Sequence, residues 1–428
     1  MAAVLGRGLG DAGFGQYSFV MTWLSSFMLF SEFGLSTVIT RDIAAQPEQT
    51  PRYLINSLVG KSLLSLPALL ILLILAPQLT PDQNPAVVTA MHWGVIFLSS
   101  GLVYSSFTAI FRAHQVMPPI LWLTLSGQFV LLAGTLGLVL LQQPLFLIIV
   151  WAGLSQVGQC VLAFVFYRKL KQPRLEKMVE GNLKELVGTQ GNLGLFQAPT
   201  SSYEFPSARS RPISGPMIGE LIIKAWPFAL AGILAALQLR ANGLILAYLQ
   251  GDQALGWYAA ANRFVETGKQ LPAAFYSAML PAMAAMVGAR NAAQSLALQK
   301  TLAQSRLGLL AFGAFASVGA LLLAQPILRL TYGPAYEPAT STLQILTLTL
   351  IPSAQNSLLI IYLYACGDEK FVNLLTTLGI IVNLGLCFWL IPTWGPAGVA
   401  VALLVAESIL YLPYKMRAAK HQHQQRAV

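Results

Sequence analysis

A chain of 428 residues that is 56% hydrophobic and only 10% charged, with mean hydropathy +0.64, cannot be solvated by water over most of its surface. Soluble domains carry about 25% charged residues, so the composition excludes an ordinary soluble enzyme and implies a lipid-embedded protein. The net charge of +10 is compatible with nucleic acid, but its distribution along the chain argues against that partner.

Apolar runs of roughly 20 residues, the length that crosses a bilayer, fall near 17–40, 53–76, 87–111, 117–141, 144–167, 221–249, 256–286, 306–325, 339–364, 371–391 and 396–414. They are continuous rather than alternating, which predicts eleven helices and not a barrel. Ahead of the first run, Gly10-Asp11-Ala12-Gly13-Phe14-Gly15-Gln16-Tyr17 has the form G-D-x-x-[F/L]-G-x-Y. The same form returns as Gly251-Asp252-Gln253-Ala254-Leu255-Gly256-Trp257-Tyr258. Repetition inside an apolar chain predicts a duplicated helix bundle. An apolar stretch of 29 residues, 221–249, precedes the second copy, but only nine residues precede the first. The sequence therefore reads as lacking most of its first helix, and eleven runs plus that one give two groups of six.

The 17–40 run carries Ser18, Thr22, Ser25, Glu32, Ser36 and Thr40 as one polar stripe ending at Arg41. A charge at mid-bilayer costs at least about 2.5–3.5 kcal/mol, so Glu32 must face a cavity, a partner or water. An ion pair with Arg41 or Lys61 competes with a transport role. Lys61 sits about eight residues inside its helix and is expected to snorkel to the surface.

Basic residues recur at alternate loops: Arg41 and Arg52, Arg112, the group from Arg168 to Lys184, Arg290 to Arg306, Lys370, and Lys415 to Arg426. This positive-inside pattern places the central loop and the C-terminus in the cytoplasm. The loop itself, 168–220, opens with a periodic stretch at 171–187 that predicts an amphipathic surface helix. A Gly-, Ser- and Pro-rich tether follows to residue 216. The expected domains are thus an N-terminal bundle over 1–167, the linker at 168–220, a C-terminal bundle over 221–414 and a basic tail over 415–428.

In the second half, 256–286 is the most polar run. Asn262, Arg263, Glu266, Lys269 and Gln270 share one helical face, and Pro272 and Pro281 permit kinks. The preceding run brings Gln238, Arg240 and Asn242 to mid-depth. Arg240, Arg263 and Lys269 outnumber Glu266, and a cationic surplus suits a phosphate or pyrophosphate, whose oxygens a guanidinium binds bidentately. Internal ion pairing is the competing explanation.

Other motifs carry less. Gly8-Leu9-Gly10-Asp11-Ala12-Gly13 matches G-x-G-x-x-G, but a nucleotide site needs a strand before it and a βαβ unit around it. His421 and His423 on a polar tail are weak metal ligands without partners, and no metal site is implied. His92 and His114 lie near helix ends and are expected to cap or line interfaces. The three cysteines, Cys160, Cys366 and Cys387, lie in or beside apolar runs and form no redox pattern. No catalytic set stands out.

Taken in order, several segments resemble the polysaccharide (O-antigen-type) flippases of the multidrug/oligosaccharidyl-lipid/polysaccharide exporter superfamily. These are Leu9-Gly10 to Tyr17, Glu32-Phe33-Gly34-Leu35 with Arg41-Asp42-Ile43-Ala44, and Gly256-Trp257-Tyr258-Ala259-Ala260-Ala261 with Leu280-Pro281. Tyr332-Gly333 with Tyr336 and Ala339, and Ile391-Pro392-Thr393-Trp394-Gly395-Pro396-Ala397-Gly398, complete the series. The resemblance spans nearly the whole chain. Asn242 stands where many relatives place an acid, and many relatives continue to fourteen helices.

The resemblance implies an all-α polytopic, MATE-like membrane protein of two pseudo-repeated six-helix bundles, here with about eleven full spans. It implies a flippase that moves lipid-linked (undecaprenyl-pyrophosphate) oligosaccharide across the bacterial inner membrane by alternating access. Arg240, Arg263, Lys269, Glu266, Arg41, Glu32 and Lys61 are the candidate substrate contacts. Membrane lipids and a polysaccharide polymerase or other export machinery are the implied partners, with no nucleic acid. No cofactor is called for; a proton or sodium gradient or the membrane potential would supply the energy. Two alternatives stay open. A drug/cation antiporter of the same superfamily would favour an acidic cavity. A membrane polymerase or glycosyltransferase would need a larger polar loop than these.

Overall fold

The computed structural model describes residues 1–170, 214–288 and 292–426. Among them every regular element is helical. The chain runs through α1 (Ala2–Glu32), α2 (Leu35–Ala45), α3 (Thr50–Leu70), α4 (Ala76–Leu79), α5 (Pro85–Ala113), α6 (Met117–Leu140) and α7 (Leu145–Leu170). It resumes with α8 (Gly215–Gly288), α9 (Ala292–Thr331), α10 (Thr340–Leu348), α11 (Leu350–Ala365), α12 (Glu369–Trp394) and α13 (Pro396–Arg426). Each of the eleven expected apolar runs falls on a helix. Among the described residues, eight helical segments are long and apolar enough to cross a membrane, or nine if the bent pair α1–α2 is one span; the runs at 221–249 and 256–286 are the two arms of α8. The amphipathic helix expected at 171–187 and its tether lie outside the described residues. Large apolar side chains such as Phe129, Phe315 and Trp389 are more than 70% exposed, a surface that only lipid solvates without cost.

The repeated octapeptide proves to be a repeated backbone shape. α1 breaks at Gly10 (φ 71°, ψ −178°) and α8 at Gly251 (φ 78°, ψ −175°). Positive φ with extended ψ is open essentially to glycine alone. The two copies also press together. A Cβ on Gly15 would collide with the Asp252 carbonyl oxygen, and one on Gly256 would collide with the Asp11 carbonyl oxygen. The first glycine of the motif makes the turn and the second admits the partner's backbone. Asp11 ties the joint: its Oδ2 accepts from Gln253 Nε2 at 2.8 Å and Trp257 Nε1 at 3.1 Å. The buried hydroxyl of Tyr336 donates to the Gly10 carbonyl at 2.9 Å, which docks the Tyr332-Gly333 turn on the same joint.

By its contacts the chain forms two compact units, one of Met1–Thr22, Val139–Gln142 and Leu234–Val428, the other of Trp23–Leu138 and Gln143–Ile233. These limits differ from the division expected at 168–220. The glycine joint explains the difference at the N-terminus, because it draws the first copy of the motif into the unit that holds the second. The unit from Trp23 is centred on Leu35, Ile39, Ile43, Phe107, Ile110 and Phe111. The other contains a core of Met279, Met283, Leu358, Tyr362, Val372 and Tyr414. α8 keeps helical backbone through Pro272 and Pro281, and its non-helical residue is Gly251 of the repeated motif. Residues 415–426 are no tail but the continuation of α13.

Gly15→Ala and Gly256→Ala should each lower the melting temperature of the purified protein by several degrees. Backbone would have to move to admit the methyl, at a cost of about 1–3 kcal/mol or more. Gly158→Ala, whose Cβ would meet nothing within 4 Å, should leave the melting temperature unchanged or raised. Equal behaviour of the three variants would refute the close-packed joint.

Candidate functional site

The polar face of α8 after Gly251 is as expected in register, but its charges are already engaged. Arg263 Nη1 lies 3.0 Å from Glu266 Oε2, and Asn262 Nδ2 donates to the other carboxylate oxygen at 2.9 Å. The Arg263 and Glu266 side chains are 58% and 44% exposed within the chain, so the pair by itself contributes little stability. Arg240, half-buried on the preceding arm of α8, feels the attraction of Glu266 and the repulsion of Arg263. Of the two arginines, Arg263 alone contacts that carboxylate, and Arg240 lies within the field of the pair.

Lys269 has a counter-charge that the sequence reading missed. Glu407, on α13, lies close enough to feel its field, and Asn356 Nδ2 donates to Glu407 Oε2 at 2.7 Å. The signal was available as a lone carboxylate in an otherwise apolar span. With Glu407 counted, three cations face two anions, so the surplus is one charge and not two. Asn242 takes no part in this cluster. It is buried, and its Oδ1 accepts from Asn383 Nδ2 at 2.7 Å with Cys387 Sγ at 3.5 Å.

The remaining candidates belong to the other unit and separate into two places. Glu32 and Lys61 come together, at 4.0 Å. Lys61 does not snorkel: its side chain is 1% exposed, and its ammonium donates to Ser36 Oγ at 2.9 Å and Ser105 Oγ at 2.7 Å. The two serines supply at depth the acceptors it would otherwise seek at the membrane surface. Arg41 joins neither residue. It is exposed and pairs with Asp42 at 2.8 Å, and Lys224 stands 3.8 Å from the same carboxylate and 2.7 Å from Glu220. Asp42, Glu220, Lys224, Arg52 and Tyr53 line a cavity of about 220 Å³.

The polar stripe before Arg41 is largely self-satisfied. Thr22 Oγ1 donates to the Ser18 carbonyl at 2.7 Å and Thr40 Oγ1 to that of Ser36 at 2.8 Å. His114 caps α5 and meets Thr50 Oγ1 at 3.0 Å, and its burial lowers its pKa. Gly8 and Gly13 pack under Val139 and over Leu9 within helices, which removes the nucleotide reading of that motif.

Comparison with known proteins fixes the class. Residues 1–287 match the model of the family described as polysaccharide biosynthesis protein. The chain belongs to that family. Residues 216–428 also match the model of the lipid II flippase MurJ. No curated protein sequence matches the chain. Among solved structures, it is similar to an inward-facing multidrug resistance MATE family transporter of the MOP superfamily. That match has TM-score 0.73 at 15% identity and covers 99% of this chain and 94% of that one. It is also similar to the lipid II flippase MurJ in an inward closed conformation, with TM-score 0.69, 14% identity and coverage of 99% and 86%. A MOP superfamily transporter from Pyrococcus furiosus gives TM-score 0.55 at 15% identity, covering 98% and 91%. Family and fold together make this chain a multi-pass membrane protein of the polysaccharide biosynthesis protein family, with a fold similar to that of MATE transporters and of MurJ.

Asp368 lies between two candidate spans, and its ion cluster is testable by pH. Asp368, in the turn between α11 and α12, receives Arg417 Nε and Nη2, the latter at 3.1 Å, and His421 Nε2 stands 2.9 Å away. His421 is thereby engaged with a carboxylate. Hydrogen bonding to Arg417 lowers the Asp368 pKa from 3.8 to about 2. A depressed carboxyl pKa stabilises the fold fully above pH 3.8, and that stabilisation is lost as pH falls toward 2. Asp368→Asn should therefore cost about 1 kcal/mol at neutral pH, since the Arg417 side is partly exposed. Its melting temperature should converge on that of the wild type as the pH is taken from 4 to about 2. A constant gap across that range would exclude this linkage.

Proposed function

We propose that the protein flips a lipid-linked oligosaccharide across the bacterial inner membrane, with the pyrophosphate of an undecaprenyl carrier as the group it grips. The observation that carries this reading is that Arg240 lies in the field of the Arg263–Glu266 pair, whose carboxylate Arg263 alone of the two arginines contacts. A phosphate oxygen arriving there meets one uncompensated cation and open N–H donors, because Arg263 has five donors and Glu266 engages one of them. Lys269, balanced by Glu407, adds a second and weaker contact. The cluster's net positive charge disfavours a cationic drug, whose binding would have to overcome it. Family membership and the match to a lipid II flippase model support the lipid-linked class of cargo. The glycan would remain in the aqueous path and the polyprenyl tail in the bilayer while the bundles alternate their access.

The full chain, reconstituted in proteoliposomes with an undecaprenyl-pyrophosphate-linked oligosaccharide, should deliver glycan to an external lectin or glycosidase. Arg240→Ala and Arg263→Ala should each slow that delivery roughly tenfold or more, the loss expected for a charged hydrogen bond. Glu266→Gln should retain transport. Wild-type rates in both arginine variants, with unchanged melting temperatures, would overturn the assignment. Efflux of a cationic dye in place of glycan delivery would replace the cargo.

A further inference from the structure

α1 and α2 meet at a bend of 43°. Two consecutive residues at the bend, Phe33 (φ 48°) and Gly34 (φ 69°), hold left-handed backbone. Glycine does so freely, but a phenylalanine there is held by its surroundings, and its ring packs on Trp226 at 5.8 Å. Beyond the bend, α2 is fixed: Leu35, Val38 and Ile39 lie in the core of their unit, and Thr40 Oγ1 reaches the Ala109 carbonyl of α5 at 3.2 Å. The arm before the bend ends on Glu32.

One side chain touches both arms. Lys61, in the middle of α3, reaches Ser36 just after the bend at 2.9 Å and Glu32 just before it at 4.0 Å. Its remaining hydrogen bond, to Ser105 at 2.7 Å, anchors it to α5. The charged groups that act on Lys61 are Glu32, attractive, and Arg112 of α5, repulsive. A lysine that only required solvation would place its head group at the membrane surface. This one stays buried across a strained break, and the counter-ion it has among the described residues, Glu32, stands at the outer limit of an ion pair. Backbone strain and a loosely held buried charge at one point are the features of a hinge.

We propose that Lys61 is a positioning residue of the transport cycle, a charge latch that holds the α1 arm against α3 and α5 and so sets the bend of the span. Loss of charge on Glu32 or Lys61 opens the latch, and the α1 arm then moves about Phe33-Gly34 while α2 stays packed. This does not depend on the identity of the cargo and is read without substrate.

The test is amide hydrogen exchange of the full chain in lipid nanodiscs, for the wild type, Glu32→Gln, Lys61→Met and Lys61→Arg, with melting temperatures alongside. Opening the latch should accelerate exchange at Phe33, Thr37 and Val38 by about tenfold in Glu32→Gln and Lys61→Met, the factor a charged hydrogen bond supports. The packed segment 107–111 should exchange as in the wild type, and Lys61→Arg should restore slow exchange at the bend. Glu32→Gln is nearly isosteric and half-exposed, so it keeps the test decisive where a lysine variant does not fold. Unchanged exchange at the bend in Glu32→Gln would overturn the latch. So would acceleration spread equally over 107–111, which would mean that the pair only supports packing.

Discussion

Two glycines set the geometry on which one of the two units is built. Gly15 faces the backbone of Asp252 and Gly256 faces that of Asp11, so the two copies of one octapeptide meet reciprocally with no side chain between them. Membrane helices gain little from the hydrophobic effect among themselves, and close backbone approach through small residues is what holds them. The joint also organises what surrounds it. Phe14 packs with Tyr332 and Tyr336 at ring distances of 5.8 and 6.3 Å, and Trp257 bonds both Asp11 and the Ala335 carbonyl. Helices distant in sequence are thereby fixed at one point before any charged residue is placed.

The charges are then located by what can satisfy them. In a low-dielectric interior an ion left without partners costs several kcal/mol, so every embedded charge forces a local solution. Lys61 is solved by two serine hydroxyls from two different helices, and Glu407 by the amide of Asn356. Asn242 avoids the problem by being neutral, so Asn383 and Cys387 can close around it. Arg240 and Arg263 are the incomplete case, because the one carboxylate between them is already engaged by Arg263 and Asn262.

Much of the architecture was legible in the sequence, for reasons that differ by feature. The helices were legible because lipid leaves no alternative to continuous apolar runs with internally bonded backbone. The joint was half legible: repetition of G-D-x-x-[F/L]-G-x-Y marked two equivalent turns, but that they touch each other is a tertiary fact. That same fact moved the first 22 residues into the unit of the second copy, which hydropathy could not foresee. Lys61 was misread because a lysine's reach is known from sequence and the location of hydroxyls on neighbouring helices is not. Glu407 was legible as the lone carboxylate of an apolar run, but its nearness to Lys269 on another helix was not. Arg41 was grouped with Glu32 by proximity along the chain, whereas the break at Phe33-Gly34 and the adjacent Asp42 direct it elsewhere.

The two sets of charges thus have different physical characters, and that difference bears on function. A buried cation whose donors are occupied, as in Lys61, gains little from a new anion, because existing hydrogen bonds must first be broken. Its contacts instead join two helix arms. A partly exposed guanidinium with donors left over gains more, since a phosphate can add bonds without removing any. Arg240 and Arg263 meet that condition and Lys269, with Glu407 beside it, meets it less well. The same reasoning ranks the three without reference to any relative. On that physical ground the arginines are better suited than the lysines to receive an anion.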